Sequence, residues 1–494
     1  MVFSGLILAQ SVATLQVYLS NIAFLDKLTA LQKAGYLTIP NPPVMDALTR
    51  WGPAFFGGLF FTLTVGVAVT LAALFTAWMR IRFFPEGRAF PAVSAVLWAG
   101  ILVWLNRNGW VPLASAYFVV IPPAVFFLAR RRVQASAGGE SGRRILLHLG
   151  CILILSALGA DRINPGMFTR IRDHLLLTNP PGLAVNNFYY RYTLYPAQVF
   201  KSPSQDLIRT AFLDPNTGGS VADGLKKTLI RLDYPVIDSP NTADVVILQD
   251  GKNLKFLHKE EPILSITPAA FLESPRETLE TFSRRVDRYG PFRRVTFWSL
   301  MAVSGLFVYF SLYLPGFFLA WLCGRCISLR LSKPVPVSAM AAVLCVGTGI
   351  GVLTAAVSTA PPALPPAALG TRLASPDPED RIAALQYLHG RKIDIGPYGV
   401  HRKMAKSAHM PERYWLARAL HHSRSRRTYD TNLDLLNDPQ MNVAYMAYLA
   451  LGRRGDRRAV AEILVRLKSE DRWYVQLYAY KALRRLGWRQ TGSS

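Results

Sequence analysis

The sequence predicts a polytopic α-helical membrane protein with about six transmembrane helices, an extracytoplasmic α+β domain and a C-terminal α-solenoid. Three observations predict this fold class. Hydrophobic residues make up 51% of the 494 residues and charged residues only 18%, a composition that favours membrane insertion. Several long stretches carry no charge. Near the C terminus, a pattern of alanine, valine and leucine recurs every 32 residues, which indicates stacked helical repeats.

A transmembrane helix needs about 20 mainly apolar residues, because its backbone must satisfy its own hydrogen bonds in lipid. Six stretches reach or approach this length, four within residues 51–160 and two within residues 295–357. These stretches are 53–79, 90–105, 111–129, 145–160, 295–323 and 335–357.

Residues 1–50 are predicted to form a membrane-associated helix and a tether. Residues 2–25 carry no charge but contain several polar side chains, and they lack the basic start and small-residue cleavage site of a secretory signal. We expect a helix that lies in or against the membrane, with a seventh transmembrane helix as the alternative. Residues 27–50 contain Pro40, Pro42 and Pro43 and would form the tether.

Orientation follows from the short loops, because Lys and Arg favour the cytoplasm. The loops 80–88, 130–144 and 324–334 together contain eleven basic residues, whereas the loop 106–110 contains one. Residues 161–294 and 358–494 are therefore predicted to lie outside the cytoplasm. Five arginines between positions 284 and 294 favour the opposite orientation, but they belong to a long segment, which translocates largely regardless of charge.

The predicted localisation is a bacterial inner membrane, with both large soluble domains on the periplasmic side. An uncut N terminus together with domains outside the cytoplasm fits that setting. None of the soluble segments on this side contains a cysteine, so they are not expected to be held by disulfides.

The predicted transmembrane stretches contain no Asp, Glu, Lys or Arg. Proton pumps and ion-coupled carriers usually keep such groups in the membrane, because a charge there is costly. We interpret His148, near the start of the fourth stretch, as an imidazole hydrogen-bonded to a neighbour. Gly347 and Gly351 form a GxxxG pair, which predicts close packing against another helix.

No motif in the sequence indicates catalysis or a cofactor. We find no GxSxG, HExxH, Walker A or paired-carboxylate signature, which are the patterns of common hydrolases and nucleotide-binding sites. Cys323 and Cys326 form a CxxC pair without a second pair nearby. Because a structural zinc site needs four ligands, we interpret both as free thiols. The sequence therefore predicts a protein that is not an enzyme, with no cofactor and no metal.

Residues 161–294 are predicted to be a small α+β domain. Their pattern predicts helices at 223–232 and 275–289 and strands at 245–248, 254–257 and 263–266. The residues Asp250-Gly251-Lys252-Asn253 are a hairpin-turn signal between the first two strands.

The most unusual stretch of this domain is rich in tyrosine and contains Tyr189, Tyr190, Arg191 and Tyr192. If these rings are exposed, they could stack on a sugar, grip a peptide or lie among lipid headgroups. Ordinary packing with satisfied hydroxyls is the favoured alternative, because aromatic residues bury readily.

A linker rich in Pro and Ala at 358–374 precedes the repeats at 375–494. The repeated positions lie 32 residues apart, with small and branched residues at the packing seam and glycine at the helix end. The matching pairs are Val443/Val475, Ala447/Ala479, Ala450/Ala482, Leu451/Leu483 and Gly455/Gly487.

This pattern resembles HEAT repeats of the short, bilin-lyase-like class. The resemblance is clear over 436–487, where Asp438-Pro439 opens a unit and residues 455–460 resemble the inter-helix turn, and it is weaker over 375–435. The resemblance implies an α-solenoid that binds other proteins. It assigns no catalytic residues to this chain, and lyase activity is not inferred from it.

Residues 371–494 carry a net charge of +11, which suits an acidic protein partner or an anionic lipid surface. Nucleic acid is not expected as a partner in the predicted compartment. The candidate docking residues cluster at the repeat turns. They are Arg453, Arg454, Arg457, Arg458, Arg484 and Arg485. A solvated charged face without a partner is the alternative.

The favoured hypothesis is a non-catalytic integral membrane protein that presents a periplasmic HEAT-like solenoid as a protein-docking scaffold in an envelope complex. The first alternative is a component of a transporter for an uncharged or lipidic substrate. A further alternative is a membrane-bound enzyme that works through the tyrosine-rich stretch.

Overall fold

A computed structural model describes residues 1–84, 89–132, 140–159, 165–328, 337–358 and 368–490. The described chain is mainly helical and contains one four-stranded sheet. Its first 159 residues form seven described helices, of which α3 and α4 are joined by a π-helical turn at Thr62–Gly66. The helices are α1 (Val2–Lys33), α2 (Pro42–Met45), α3 (Trp51–Phe61), α4 (Val67–Phe83), α5 (Ala89–Leu105), α6 (Pro112–Arg132) and α7 (Glu140–Gly159).

The middle of the chain carries the sheet. Its helices are α8 (Pro165–Ile171), α9 (Pro180–Tyr192), α10 (Leu194–Phe200), α11 (Gly219–Arg231), α12 (Pro268–Glu273) and α13 (Pro275–Arg285). Its strands are β1 (Ala211–Leu213), β2 (Val245–Asp250), β3 (Asn253–His258) and β4 (Glu261–Ile266). Two long apolar helices follow, α14 (Gly290–Ser328) and α15 (Val337–Ser358).

The described part of each predicted transmembrane stretch is helical, except that Val111 precedes α6. Four of the described helices are long and apolar enough to cross a membrane: Val2–Lys33, Trp51–Phe83, Pro112–Ala129 and Gly290–Cys323. Shorter apolar helices cover Ala89–Leu105, Leu147–Ala157 and Val337–Gly351. The N-terminal helix is therefore long enough for a seventh transmembrane helix, which was the alternative prediction for this segment.

The chain divides into two compact units. The apolar unit consists of Met1–Ala13, Leu59–Leu175 and Pro291–Ala360, and the repeat unit consists of Thr14–Gly58, Leu176–Gly290 and Pro361–Ser494. Each unit is thus assembled from segments that are far apart in the sequence.

The start of α1 packs closely inside the apolar unit. A Cβ atom at Gly66 would lie 2.6 Å from the Cβ of Ala9, so the absence of a side chain at Gly66 allows the contact. Beside it, the Thr62 hydroxyl donates a 2.6 Å hydrogen bond to the side-chain oxygen of Gln10. This bond satisfies one of the polar groups that interrupt the N-terminal apolar stretch.

The sheet of the repeat unit has the order β1-β2-β3-β4, with β1 parallel to β2 and the other pairs antiparallel. The predicted hairpin is confirmed, because Asp250 pairs with Asn253 and Gly251 takes a φ of 58°, which glycine adopts readily. The predicted helix 275–289 ends at Arg285 instead. β1 has three residues, too few for a recognisable alternation.

Helices α11, α12 and α13 cover one face of this sheet. Their buried side chains include Leu229, Phe271 and Phe282, which pack on Ile247 and Phe256 of the strands. Alternate residues of β2 and β3 are buried, as a half-covered sheet requires. The predicted α+β arrangement is therefore present in this part of the chain.

Residues 368–490 form the stacked helices of the repeat domain. They are α16 (Leu369–Leu373), α17 (Pro378–Arg391), α18 (His401–Ala405), α19 (Met410–Ala419), α20 (Tyr429–Asp434), α21 (Met441–Arg454), α22 (Ala459–Ser469) and α23 (Trp473–Arg485). The first helices of successive repeats, α17, α19, α21 and α23, begin 31 or 32 residues apart. Gly455 ends α21 with a φ of 78°, as the sequence predicts.

Buried ion pairs join successive repeats. Arg381 of α17 contacts Glu412 of α19 at 2.6 Å, and Arg413 of α19 contacts Asp438, just before α21, at 2.6 Å. Both arginines also donate to backbone carbonyls of the loop that precedes their own helix. Although burial alone would raise the pKa of Glu412, hydrogen bonds from Arg381 and Ser407 hold that pKa below its usual value.

We predict that Arg413→Ala lowers the free energy of unfolding by about 3–5 kcal/mol, because Asp438 would remain buried without its partner. The control is Arg466→Ala, which removes an exposed pair with Glu462 and should cost about 0.5 kcal/mol or less. Chemical unfolding of the purified full chain in mild detergent measures both. Equal effects of the two substitutions would contradict the assignment of Arg413 to the connection between repeats.

Candidate docking surface on the helical repeats

Asn41 holds the last repeat through a cap. Its side-chain amide donates to the carbonyls of Leu467 at 2.7 Å and Glu470 at 3.1 Å, at the C-terminal end of α22, where carbonyls lack partners within the helix. Asn41 and Gln476 also bond reciprocally, with the Asn41 backbone N–H donating at 2.9 Å and the Gln476 amide donating at 2.5 Å. Both residues are buried.

A second reciprocal contact lies beside this cap. The Gln490 side chain accepts from the N–H of Leu37 and donates to its carbonyl, both at 2.9 Å. Lys27, near the end of α1, forms an ion pair of 2.6 Å with Asp244 at the start of β2. The N-terminal segment of the repeat unit is thus bonded both to the repeats and to the sheet.

The α+β part contacts the repeats through Asp233. Its carboxylate accepts from Arg484 at 2.9 Å and from the Tyr480 hydroxyl at 2.9 Å. Burial raises the pKa of Asp233, while the charge of Arg484 opposes that rise. Arg484 is therefore used inside the chain.

Two more of the predicted docking arginines also have internal partners. Arg454 donates to the Thr428 hydroxyl at 3.0 Å and to the Ser425 carbonyl. Arg458 pairs with Asp456 at 2.6 Å. These side chains serve the packing of the repeats.

Arg453, Arg457 and Arg485 are exposed, and the guanidinium group of each makes no hydrogen bond or ion pair with the described residues. The loop that carries three more exposed arginines lies beside them, because Arg454 donates to the carbonyl of Arg424. We call this group of six side chains the basic edge. Its members are Arg424, Arg426, Arg427, Arg453, Arg457 and Arg485.

The tyrosine-rich stretch is the end of α9, and its side chains are divided between two environments. Tyr190 is buried, with its ring 4.4 Å from that of Tyr474, and its carbonyl accepts from the Trp473 indole at 2.7 Å. Tyr189 and Arg191 are exposed, and Tyr192 is half-buried. The sequence did not reveal Tyr445 and Tyr474 as the partner aromatics of Tyr190, because they lie in the repeats.

A Cβ atom at Gly347 or Gly351, the predicted GxxxG pair, would meet none of the described residues within 4 Å. Gly349, between them, is the close contact: a Cβ atom there would lie 2.5 Å from Leu155 of α7. On α7, His148 Nδ1 lies 2.6 Å from the Tyr309 hydroxyl of α14, so the imidazole has a hydrogen-bonding neighbour, as predicted from the sequence.

Cys323 is an exposed free thiol, whereas the side chain of Cys326 lies outside the described residues. Within the described parts of the chain, no group of three or more His, Cys, Asp or Glu side chains could hold a metal ion.

A histidine network connects the first three repeats. His389 Nδ1 contacts the Arg418 carbonyl at 3.0 Å, and His421 Nε2 contacts the Met446 carbonyl at 3.2 Å. Burial, reinforced by the charge of Arg418, lowers the pKa of His389 to about 4. Burial, reinforced by the charge of Arg453, lowers the pKa of His421 to about 3. Both rings are therefore neutral in the folded domain near pH 7.

We predict that the repeats lose stability as the pH falls from about 6.5 towards 4. Unfolded histidine has a pKa of about 6.5, so in this window the unfolded chain binds protons that the folded chain excludes. Each histidine contributes a slope of up to about 1.4 kcal/mol per pH unit. The unfolding free energy measured against pH should have a smaller slope in His389→Gln and His421→Gln. An unchanged slope in both would contradict this assignment; exposed His409, changed to Gln, is the control.

Comparison with known proteins agrees with this geometry. A family model described as HEAT repeats matches residues 402–484. No curated protein and no solved structure matches the chain significantly. The match confirms HEAT-like repeats in the C-terminal part, and it includes a portion of the region in which the sequence pattern is weak.

Proposed function

We propose that this chain is a non-catalytic, multi-pass protein of a bacterial inner membrane that presents its HEAT repeats on the periplasmic side as a docking scaffold. The observation that carries the proposal is the basic edge, a group of exposed arginines on a domain in which Arg381, Arg413 and Arg484 are used internally. HEAT repeats support the scaffold role, because stacked repeats provide extended binding surfaces.

The contacts inside the repeat unit support the membrane arrangement. Lys27–Asp244, Asn41–Gln476 and Asp233–Arg484 join three chain segments, and such polar contacts require one aqueous compartment for all three. The chain must then cross the membrane an even number of times between these segments. The apolar helices α3–α4, α5, α6 and α7 supply four crossings, and α14 and α15 supply two.

The charge of the edge supports an acidic protein as the partner. All six arginines of the basic edge are exposed, and the neighbouring Asp456 is already paired with Arg458. Arginine binds carboxylates through two parallel hydrogen bonds, so a segment rich in Asp or Glu fits this edge. A positive edge also accelerates the encounter with such a partner.

We predict that a reporter active only outside the cytoplasm is active when fused after residues 230 and 490 and inactive after residues 140 and 330. The reason is that the basic loops remain in the cytoplasm. A reporter active only in the cytoplasm, fused at the same positions, should give the reverse pattern. Different compartments for positions 230 and 490 would contradict the single-compartment argument.

We predict that a photo-crosslinking residue at Arg457 captures an acidic protein in cells, whereas the same residue at exposed Val465 does not. Arg453→Glu with Arg485→Glu should abolish the adduct at position 457 without changing the amount of the chain in membranes, because opposite charges no longer meet. An adduct that survives this charge reversal, or no adduct from any position of the basic edge, would contradict the proposal.

A further inference from the structure

Helix α9 has its polar and apolar sides reversed relative to an ordinary surface helix. Its side chains facing the repeats include Asn186, whose amide donates to Asn442 at 2.8 Å, and Tyr190. Its opposite face carries Val185, Phe188 and Tyr189, which are 57%, 43% and 54% exposed. A surface helix normally buries its apolar stripe and exposes its polar residues, so this exposed face requires a cover other than water.

The exposed face of α9 continues into the start of the helix pair α3–α4. The ring of Phe56 lies 5.9 Å from that of Phe188 and 4.9 Å from that of Tyr192. Phe56 and the neighbouring Trp51 and Phe55 are themselves exposed. Because Trp51–Phe83 is long and apolar enough to cross a membrane, this aromatic surface borders the end of a candidate span.

Two exposed arginines accompany these rings. Arg191 lies over the ring of Tyr192, 5.7 Å from its centre, and both Arg50 and Arg191 act on Tyr195 through their charge. Neither guanidinium makes a hydrogen bond with the described residues. Aromatic rings beside exposed cations at the end of an apolar helix are typical of the headgroup region of a bilayer.

We propose that α9 is an interfacial helix whose exposed apolar face inserts among the lipid headgroups of the same membrane. Val185, Phe188 and Tyr189 would enter the interface beside Trp51, Phe55 and Phe56, and Arg50 and Arg191 would bind lipid phosphates. This inference rests on the proposed membrane insertion of α3–α4. A sugar or a peptide fits less well, because the exposed face is mainly apolar and aromatic and adjoins a candidate span.

With its two faces, α9 would connect the membrane with the repeats. The buried face holds the repeats through Asn442, Tyr474 and the Trp473 indole. One 13-residue helix would therefore lie between the bilayer and the last two repeats. The repeats would be held at a fixed depth above the lipid, and the basic edge would be presented at a defined height.

The test places a nitroxide spin label at Val185, Phe188 or Val465 in the full chain, with the native cysteines replaced by serine, in vesicles of phosphatidylcholine with one-fifth phosphatidylglycerol. Oxygen partitions into lipid and a nickel chelate stays in water. Labels at 185 and 188 should be accessible to oxygen and protected from nickel. The label at Val465, exposed on the repeats, should show the reverse. A label at Phe75, exposed in α4, reports membrane insertion separately.

The possible outcomes separate the two proposals. Nickel access at 185 and 188 with protection at 75 would overturn the interfacial helix and leave the integral membrane protein intact. Nickel access at 75 would overturn the proposed function itself. Protection of 185 and 188 from both reagents would indicate a protein contact and would also overturn the inference.

The unmodified chain provides a second measurement if the cysteine-free variants do not fold. A phosphatidylcholine with a diazirine near its headgroup should form adducts within residues 180–192. Adducts confined to the long apolar helices would contradict the interfacial position of α9.

Discussion

The repeat domain depends on a buried polar contact that joins residues far apart in the sequence. Asn41 donates to the open carbonyls at the end of α22 and exchanges hydrogen bonds with Gln476. A buried amide or carbonyl without a partner costs about 1–3 kcal/mol, so each side stabilises the other in this conformation. The N-terminal segment is consequently a structural part of the repeat domain.

Because the N-terminal segment is bonded to the repeats, part of the repeat surface is already occupied within the chain. A solenoid attached to a membrane anchor by a flexible linker would leave both of its faces open to partners. Here the contacts of Asn41, Asn186 and Asp233 occupy one part of the repeats, and the basic edge remains open. The same contacts oblige three chain segments to share one compartment, which is the physical basis for the proposed topology.

The sequence reveals those features that depend on local periodicity. The apolar stretches, the Gly251 hairpin and the repeat spacing each follow from a regular pattern in neighbouring residues, and each is present in the structure. The three-residue strand β1 lacks such a pattern. The partners of Asn41 and Arg484 could not be identified either, because a single asparagine or arginine carries no sign of a distant carbonyl or carboxylate. Gly349, rather than the GxxxG pair, makes the close contact with α7 because helix packing depends on the partner's surface.

The sequence likewise could not show which candidate arginines are exposed and which are bonded inside the chain. Their clustering at the repeat turns is visible in the sequence, but their internal partners lie in other repeats or in the sheet. Tyr190 and Tyr189 are neighbours with opposite exposures because a helix turns by about 100° per residue.

The most direct test of this account is to insert a protease site between Ala363 and Leu364 and to cleave the purified protein in mild detergent. We expect the fragment beginning at Leu364 to remain bound to the rest of the chain through gel filtration, because buried contacts hold it. Elution of that fragment as a separate, folded species would contradict the claim that the repeats form one unit with the N-terminal segment.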